Sequence, residues 1–98
     1  MDFDFTAEVW LWDARDAWHF VTVPTEESEV IRSVGEPLAR GFGSVRVAAT
    51  IGKTRWQTSV FPQKSDGTYV LPVKKQVRTA EGITVGDEVS VHLEVLDE

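Results

Sequence analysis

The stretch Ser44-Val45-Arg46-Val47-Ala48-Ala49-Thr50-Ile51-Gly52-Lys53-Thr54-Arg55-Trp56-Gln57-Thr58-Ser59-Val60-Phe61 decides the fold class. Two runs rich in β-branched residues flank Gly52-Lys53, and a two-residue loop with glycine first suits a type II′ hairpin turn. Such a turn dictates the register: Ile51 faces Thr54, Ala49 faces Trp56, Val47 faces Thr58 and Val45 faces Val60. One face of the hairpin is then largely apolar and sets the smallest side chain against the largest. The other face carries Arg46, Thr50, Arg55, Gln57 and Ser59.

Upstream, Phe3, Phe5, Ala7, Val9 and Leu11 alternate with Asp2, Asp4, Thr6, Glu8 and Trp10, the period of a strand buried on one face. Asp13 to Asp16 is polar and turn-like, and Trp18 to Val23 resumes as a strand until Pro24, so these two segments are expected to form a hairpin. Thr25 is placed to cap a short helix with Glu26, Glu27 and Glu29 near its positive end, Val30, Ile31 and Val34 as its apolar stripe, and Gly35 at its close. Residues 35–43 hold three glycines and a proline and read as a connector.

Downstream, Ser65-Asp66-Gly67 turns the chain into a strand over 68–73, where Pro72 predicts a strand end or a sheet edge. An edge there would offer a route to a weak homodimer; otherwise the chain is a monomer. Lys74 to Glu81 reads as one or two helical turns ended by Gly82, and Val89, Val91, Leu93 and Val95 alternate with polar residues in a last strand. Six strands and two short helices make an all-β chain. So few helices leave a parallel sheet uncovered, which predicts a mainly antiparallel barrel or sandwich.

At 98 residues and 42% apolar composition the chain holds core material for one domain, residues 1–98. Its 11.0 kDa mass predicts roughly 5,600 Å² of accessible surface. There is no cysteine, so thiol nucleophiles, disulfides and cysteine-based metal sites are excluded. No apolar run reaches the roughly 18 residues of a membrane-spanning helix, and the acidic amino terminus does not resemble a signal peptide; a cytoplasmic protein without a membrane contact is expected.

The net charge of −6 argues against nucleic-acid binding, which needs a basic footprint. That average conceals a pattern: residues 1–31 carry −7, residues 32–80 carry +7 and residues 81–98 carry −6. The basic middle either forms an anion-attracting face or interleaves with the acidic segments in one sheet. Interleaving is the less costly arrangement and the one expected.

Five blocks resemble, in order, one bacterial family of domains of unknown function, DUF1905: Ala17-Trp18-His19-Phe20-Val21-Thr22-Val23-Pro24, Gly41-Phe42-Gly43-Ser44-Val45, Ile51-Gly52-Lys53-Thr54-Arg55-Trp56, Leu71-Pro72-Val73-Lys74-Lys75 and Val85-Gly86-Asp87-Glu88-Val89. The resemblance spans nearly the whole chain and implies a small antiparallel double-split β-barrel, an architecture shared with transition-state regulators and swapped-hairpin antitoxins. It brings no catalytic residues. Gly86-Asp87 is similar to the glycine–aspartate box of such barrels. A structural staple is the expected role, Gly86 taking a positive φ and Asp87 accepting backbone N–H bonds.

The candidate functional residues form no established constellation. His19 and His92 lack metal-ligand spacing, no serine sits in a nucleophile elbow, and neither an enzyme, a metal nor a cofactor is expected. Gly41-Phe42-Gly43-Ser44, flanked by Arg40 and Arg46, lacks a dinucleotide fingerprint and reads as a plain turn. Lys74, Lys75 and Arg78, with Arg46 and Arg55, are either one basic patch or, as expected, solvated charges. Trp10 and Trp12 lie on the face that a one-sided strand leaves polar. Either a helix covers them, the expected case, or they line an open aromatic groove. Candidate ligand-binding residues are thus Trp10, Trp12, Arg46, Arg55, Lys74 and Arg78, with Gly52, Gly86 and Asp87 as structural turns. The expectation is a non-enzymatic binding or interaction module for a protein or small ligand; the alternative, by analogy with the swapped-hairpin barrels, is a nucleic-acid-binding or antitoxin-like regulator.

Overall fold

The hairpin around Gly52-Lys53 forms in the register its turn dictates, with Ile51 opposite Thr54, Ala49 opposite Trp56 and Val45 opposite Val60. Gly52 has φ +60°, and Lys53 is not among the positive-φ residues, as a type II′ turn requires. The structure is a computed structural model and describes residues 1–12, 17–35 and 43–96. Its elements are β1 (Asp2–Trp12), β2 (Trp18–Thr22), α1 (Thr25–Gly35), β3 (Val45–Ile51), β4 (Thr54–Pro62), β5 (Tyr69–Pro72), α2 (Lys75–Glu81) and β6 (Glu88–Val95). The turn proposed over Asp13 to Asp16, and Arg40, Gly41 and Phe42 of the connector, lie outside the described residues.

The strands close into an antiparallel barrel in the order β1-β2-β5-β4-β3-β6. Alternating residues from every strand fill it, among them Val9, Val21, Val47, Trp56, Val60, Leu71, Val91 and Leu93. The surface area of 5882 Å² is near the value expected from mass alone.

The helices close opposite ends. Ser28 of α1 donates from Oγ to the Val23 carbonyl and accepts the Tyr69 N–H, both at 3.0 Å, while Gly35 sits against Val45. At the far end, Glu81 of α2 accepts from Thr54 Oγ1 at 2.6 Å beside the Gly52-Lys53 turn, and Val77 enters the core. Gly82 ends α2 in the left-handed conformation.

The Gly86-Asp87 turn is a staple in fact: Asp87 Oδ2 accepts from Thr84 N–H at 2.9 Å and from Thr84 Oγ1 at 3.2 Å. Gly86 N–H donates to the Val9 carbonyl and Val9 N–H to the Asp87 carbonyl, each at 2.8 Å, which ties the turn to β1.

Four expectations need correcting. First, of the two readings of Pro72 the strand end holds and the edge does not: Pro72 is the last residue of β5, which pairs with β2 and β4 inside the closed barrel. Second, α1 buries Ser28, Ile31 and Gly35, leaving Val30 and Val34 exposed, because a helix plugging a barrel end presents a narrower face than one lying on a sheet. Third, Leu11 is exposed, since the β1–β2 hairpin runs past the core. Fourth, charge interleaving is only partial. Arg55 of β4 reaches Glu94 of β6 at 3.4 Å across β3, but acidic β1 and β6 are direct neighbours, with Glu8 opposite Glu88 and Asp2 opposite Glu94. Barrel closure joins the first and last strands whatever their charge.

Candidate functional site: an aromatic shelf and a basic cleft

The outer wall of the β1–β2 hairpin carries four aromatic rings. The register sets Trp10 opposite Phe20 and Trp12 opposite Trp18, all on the face directed away from the core. Phe20 lies at the centre, with ring centroids 5.2 Å from Trp10, 6.3 Å from Trp12 and 5.9 Å from Trp18. Such pairs contribute about 0.5–1.5 kcal/mol each beyond simple burial. Phe20 is only 7% exposed although it faces outward, whereas Trp12 and Trp18 remain 50% and 46% exposed. Trp10 is half-buried, and its Nε1–H donates to Thr22 Oγ1 at 2.9 Å, which satisfies its one polar group. No described helix covers the cluster, because both helices are committed to the barrel ends. The expectation that a helix covers Trp10 and Trp12 therefore fails, and the wall is an open aromatic shelf.

A cleft of about 210 Å³ opens beside the shelf, at the α2 end of the barrel. Trp18, His19, Pro72, Lys74 and Arg78 contribute to its walls. Arg78 is held in place: its Nε–H donates to the Val73 carbonyl at 3.1 Å and Nη1 lies 3.4 Å from His19 Nε2. His19 Nδ1 lies 3.0 Å from the Ala17 carbonyl. A carbonyl only accepts, so Nδ1 carries the proton and, in the neutral ring, Nε2 accepts from Arg78. The Val73 N–H donates to the His19 carbonyl at 2.9 Å, fixing the strand ends that bring these residues together.

The sequence agrees with a known family over most of its length: the model of the domain of unknown function DUF1905 matches residues 5–93. The chain belongs to the DUF1905 family. No curated protein matches it.

In this DUF1905 barrel the candidate binding residues divide among three places. Trp10 and Trp12 form the shelf, and Lys74 and Arg78 line the cleft. Arg46 and Arg55 lie on the outer wall of β3 and β4, where Arg46 meets Gln57 Oε1 at 3.4 Å and Arg55 meets Glu94. The single basic patch therefore does not assemble. Lys75 is exposed beside the cleft without lining it.

Of the residues lining the cleft, sequence reasoning did not single out Trp18 or Pro72, and it weighed His19 only as a metal ligand and set it aside. Trp18 and His19 stand in a family-like block, but that signal does not separate a scaffold residue from a contact. His92, read as a lone strand histidine, lies between two carboxylates, 2.8 Å from Asp4 Oδ1 and 3.2 Å from Asp2 Oδ2. The hydrogen bond it donates to Asp4 raises its pKa above the ordinary 6.5, with the charges of Asp4 and Asp2 adding to it. No group of three or more metal-ligating side chains occurs among the described residues. No described helix is long and apolar enough to cross a membrane.

Proposed function

We propose that this barrel is a non-enzymatic binding module that uses the aromatic shelf and the adjoining cleft as one contact surface. The observation that carries this reading is the position of Trp18, which stacks on Phe20 within the shelf and also forms a wall of the cleft beside Lys74 and Arg78. Large aromatic groups left half-exposed together, next to cationic donors, are the usual composition of a recognition surface.

The non-enzymatic part rests on how the reactive side chains are employed. Ser28 is buried in a structural bridge, His19 supports Arg78, and His92 is engaged by Asp2 and Asp4. None of these contacts pairs a nucleophile with a base. A nucleic acid is a poorer occupant: Arg55 is engaged by Glu94, and Arg46 and Arg55 stand apart from Lys74 and Arg78, so these residues form no continuous basic track among the described ones.

A fragment library screened by thermal shift and tryptophan fluorescence on the wild type, Trp10→Ala and Trp12→Ala tests the reading. Hits whose shifts vanish in either variant support it. A screen in which no fragment moves either signal overturns it.

A further inference from the structure

We propose that the cleft takes a small organic carboxylate with a flat apolar body, of about the size of benzoate. This rests on the binding-module reading and names the chemistry of its ligand.

Charge is the first support. The chain has sixteen acids and ten Lys or Arg, yet Lys74 and Arg78 both line this cleft and no acidic residue among the described ones does. A cationic site on an acidic protein selects an anion against the protein's own average field.

The state of Arg78 is the second. Its guanidinium has five N–H donors; Nε–H is engaged by the Val73 carbonyl, and one hydrogen of Nη1 is directed at His19. The remaining hydrogen of Nη1 and the two of Nη2 have no partner in those contacts. Those hydrogens are left to donate to the oxygens of a carboxylate, the planar anion that a guanidinium fork matches best. Because two anchors already hold the guanidinium, little of its rotamer freedom is left to lose on binding. His19 thus acts as a positioning residue, its Nδ1–H on the Ala17 carbonyl turning Nε2 toward Arg78.

Shape is the third. At about 210 Å³ the cleft lies below the roughly 300–1,000 Å³ of sites for drug-sized ligands, which favours a single ring. Trp18 and Pro72 offer flat apolar walls beside the two cations. Inorganic phosphate or sulfate satisfies the cations but leaves those walls wet; a neutral aromatic covers the walls but leaves Arg78 unanswered.

The test is a titration of the full chain with benzoate, benzamide and inorganic phosphate, followed by ¹⁵N–¹H spectra. Benzoate is expected to shift the Trp18 indole signal together with the His19 and Arg78 signals. Benzamide, alike in shape but uncharged, should bind at least about tenfold more weakly, as should benzoate to Arg78→Gln. Lys74→Gln, at an exposed position, should weaken benzoate about two- to threefold and keeps the test decisive if Arg78→Gln folds poorly. His19→Phe should lower the benzoate-to-benzamide affinity ratio, and His19→Gln, which retains an acceptor, should restore the ratio. Equal binding of benzoate and benzamide, an unmoved Trp18 indole, or full benzoate affinity in either Arg78→Gln or Lys74→Gln would overturn the assignment. If Trp12-dependent fragments bind while benzoate leaves the cleft unshifted, the carboxylate assignment falls and the binding module stands; if nothing binds at all, both fall.

Discussion

Replacing Ser28 by alanine should destabilise this protein sharply, although alanine is the better helix former. Ser28 is 1% exposed, and its hydroxyl joins α1 to the barrel by donating to the Val23 carbonyl and accepting the Tyr69 N–H. Alanine removes both bonds in a site where water does not reach. A buried backbone group deprived of its partner costs about 1–3 kcal/mol, so two together cost about 2–4 kcal/mol once some relaxation is allowed. The gain in helix propensity returns only about 0.5 kcal/mol. The net loss of about 2–3 kcal/mol lowers Tm by about 10 °C or more for a domain of this size. In urea, with m of about 1.5 kcal/mol/M, the midpoint falls by about 1.5–2 M at unchanged slope.

Ser33→Ala supplies the internal control. Ser33 lies on the same helix and bonds its own Val30 carbonyl at 3.0 Å, but it is exposed, so its change should stay within about 0.5 kcal/mol. Unfolding followed by tryptophan fluorescence measures both variants. If Ser28→Ala and Ser33→Ala shift the midpoint equally, the hydroxyl does not bridge helix and barrel as described.

Gly35→Ala should also destabilise, because the new Cβ would lie 2.8 Å from Val45 Cγ1 and Val45 is fully buried; overpacking of about 1–3 kcal/mol exceeds the helix gain of at most about 1 kcal/mol, and a calorimetric Tm at or above wild type would contradict this. Gly86→Ala isolates a backbone effect: nothing lies within 4 Å of the added carbon, but φ is +94°, so a loss of about 1–3 kcal/mol in urea unfolding is expected from conformation alone. For His92 the pKa is raised in the folded state by its hydrogen bond to Asp4. The stability it contributes is therefore present in full below its unfolded pKa near 6.5 and is lost as pH rises through the folded value. The difference in urea midpoint between wild type and His92→Gln should be largest near pH 6 and shrink on going to about pH 9; a difference that grows with pH contradicts the assigned contact.

The parts of the fold that were legible in the sequence are those set by neighbours along the chain. The Gly52-Lys53 register follows from a two-residue loop, the end of α2 from a glycine able to take positive φ, and the alternation of β6 from the pleat itself. The binding surface was legible only in fragments. Trp10 and Trp12 stood out because they broke the polar face of β1, and Lys74 and Arg78 because they clustered. Nothing local connected Arg78 to His19, 59 positions away, or set Trp18 at the junction of shelf and cleft. The apolar stripe assigned to Val30, Ile31 and Val34 failed for a related reason: periodicity reports which residues share a helix face, not how wide a surface waits to receive it.

Taken by itself, the order of residues determined the six extended segments, the two helices, the register of the central hairpin and the family. It did so because turn chemistry, side-chain alternation and helix termination act over a few residues. Closure of the barrel decided the rest. It placed acidic β1 against acidic β6, took β5 from an edge into the wall, sent both helices to the ends and so left the tryptophans uncovered, and brought His19, Lys74 and Arg78 around one cleft. Those outcomes depend on which distant strands become neighbours when a twisted sheet meets itself, a condition imposed on the chain as a whole.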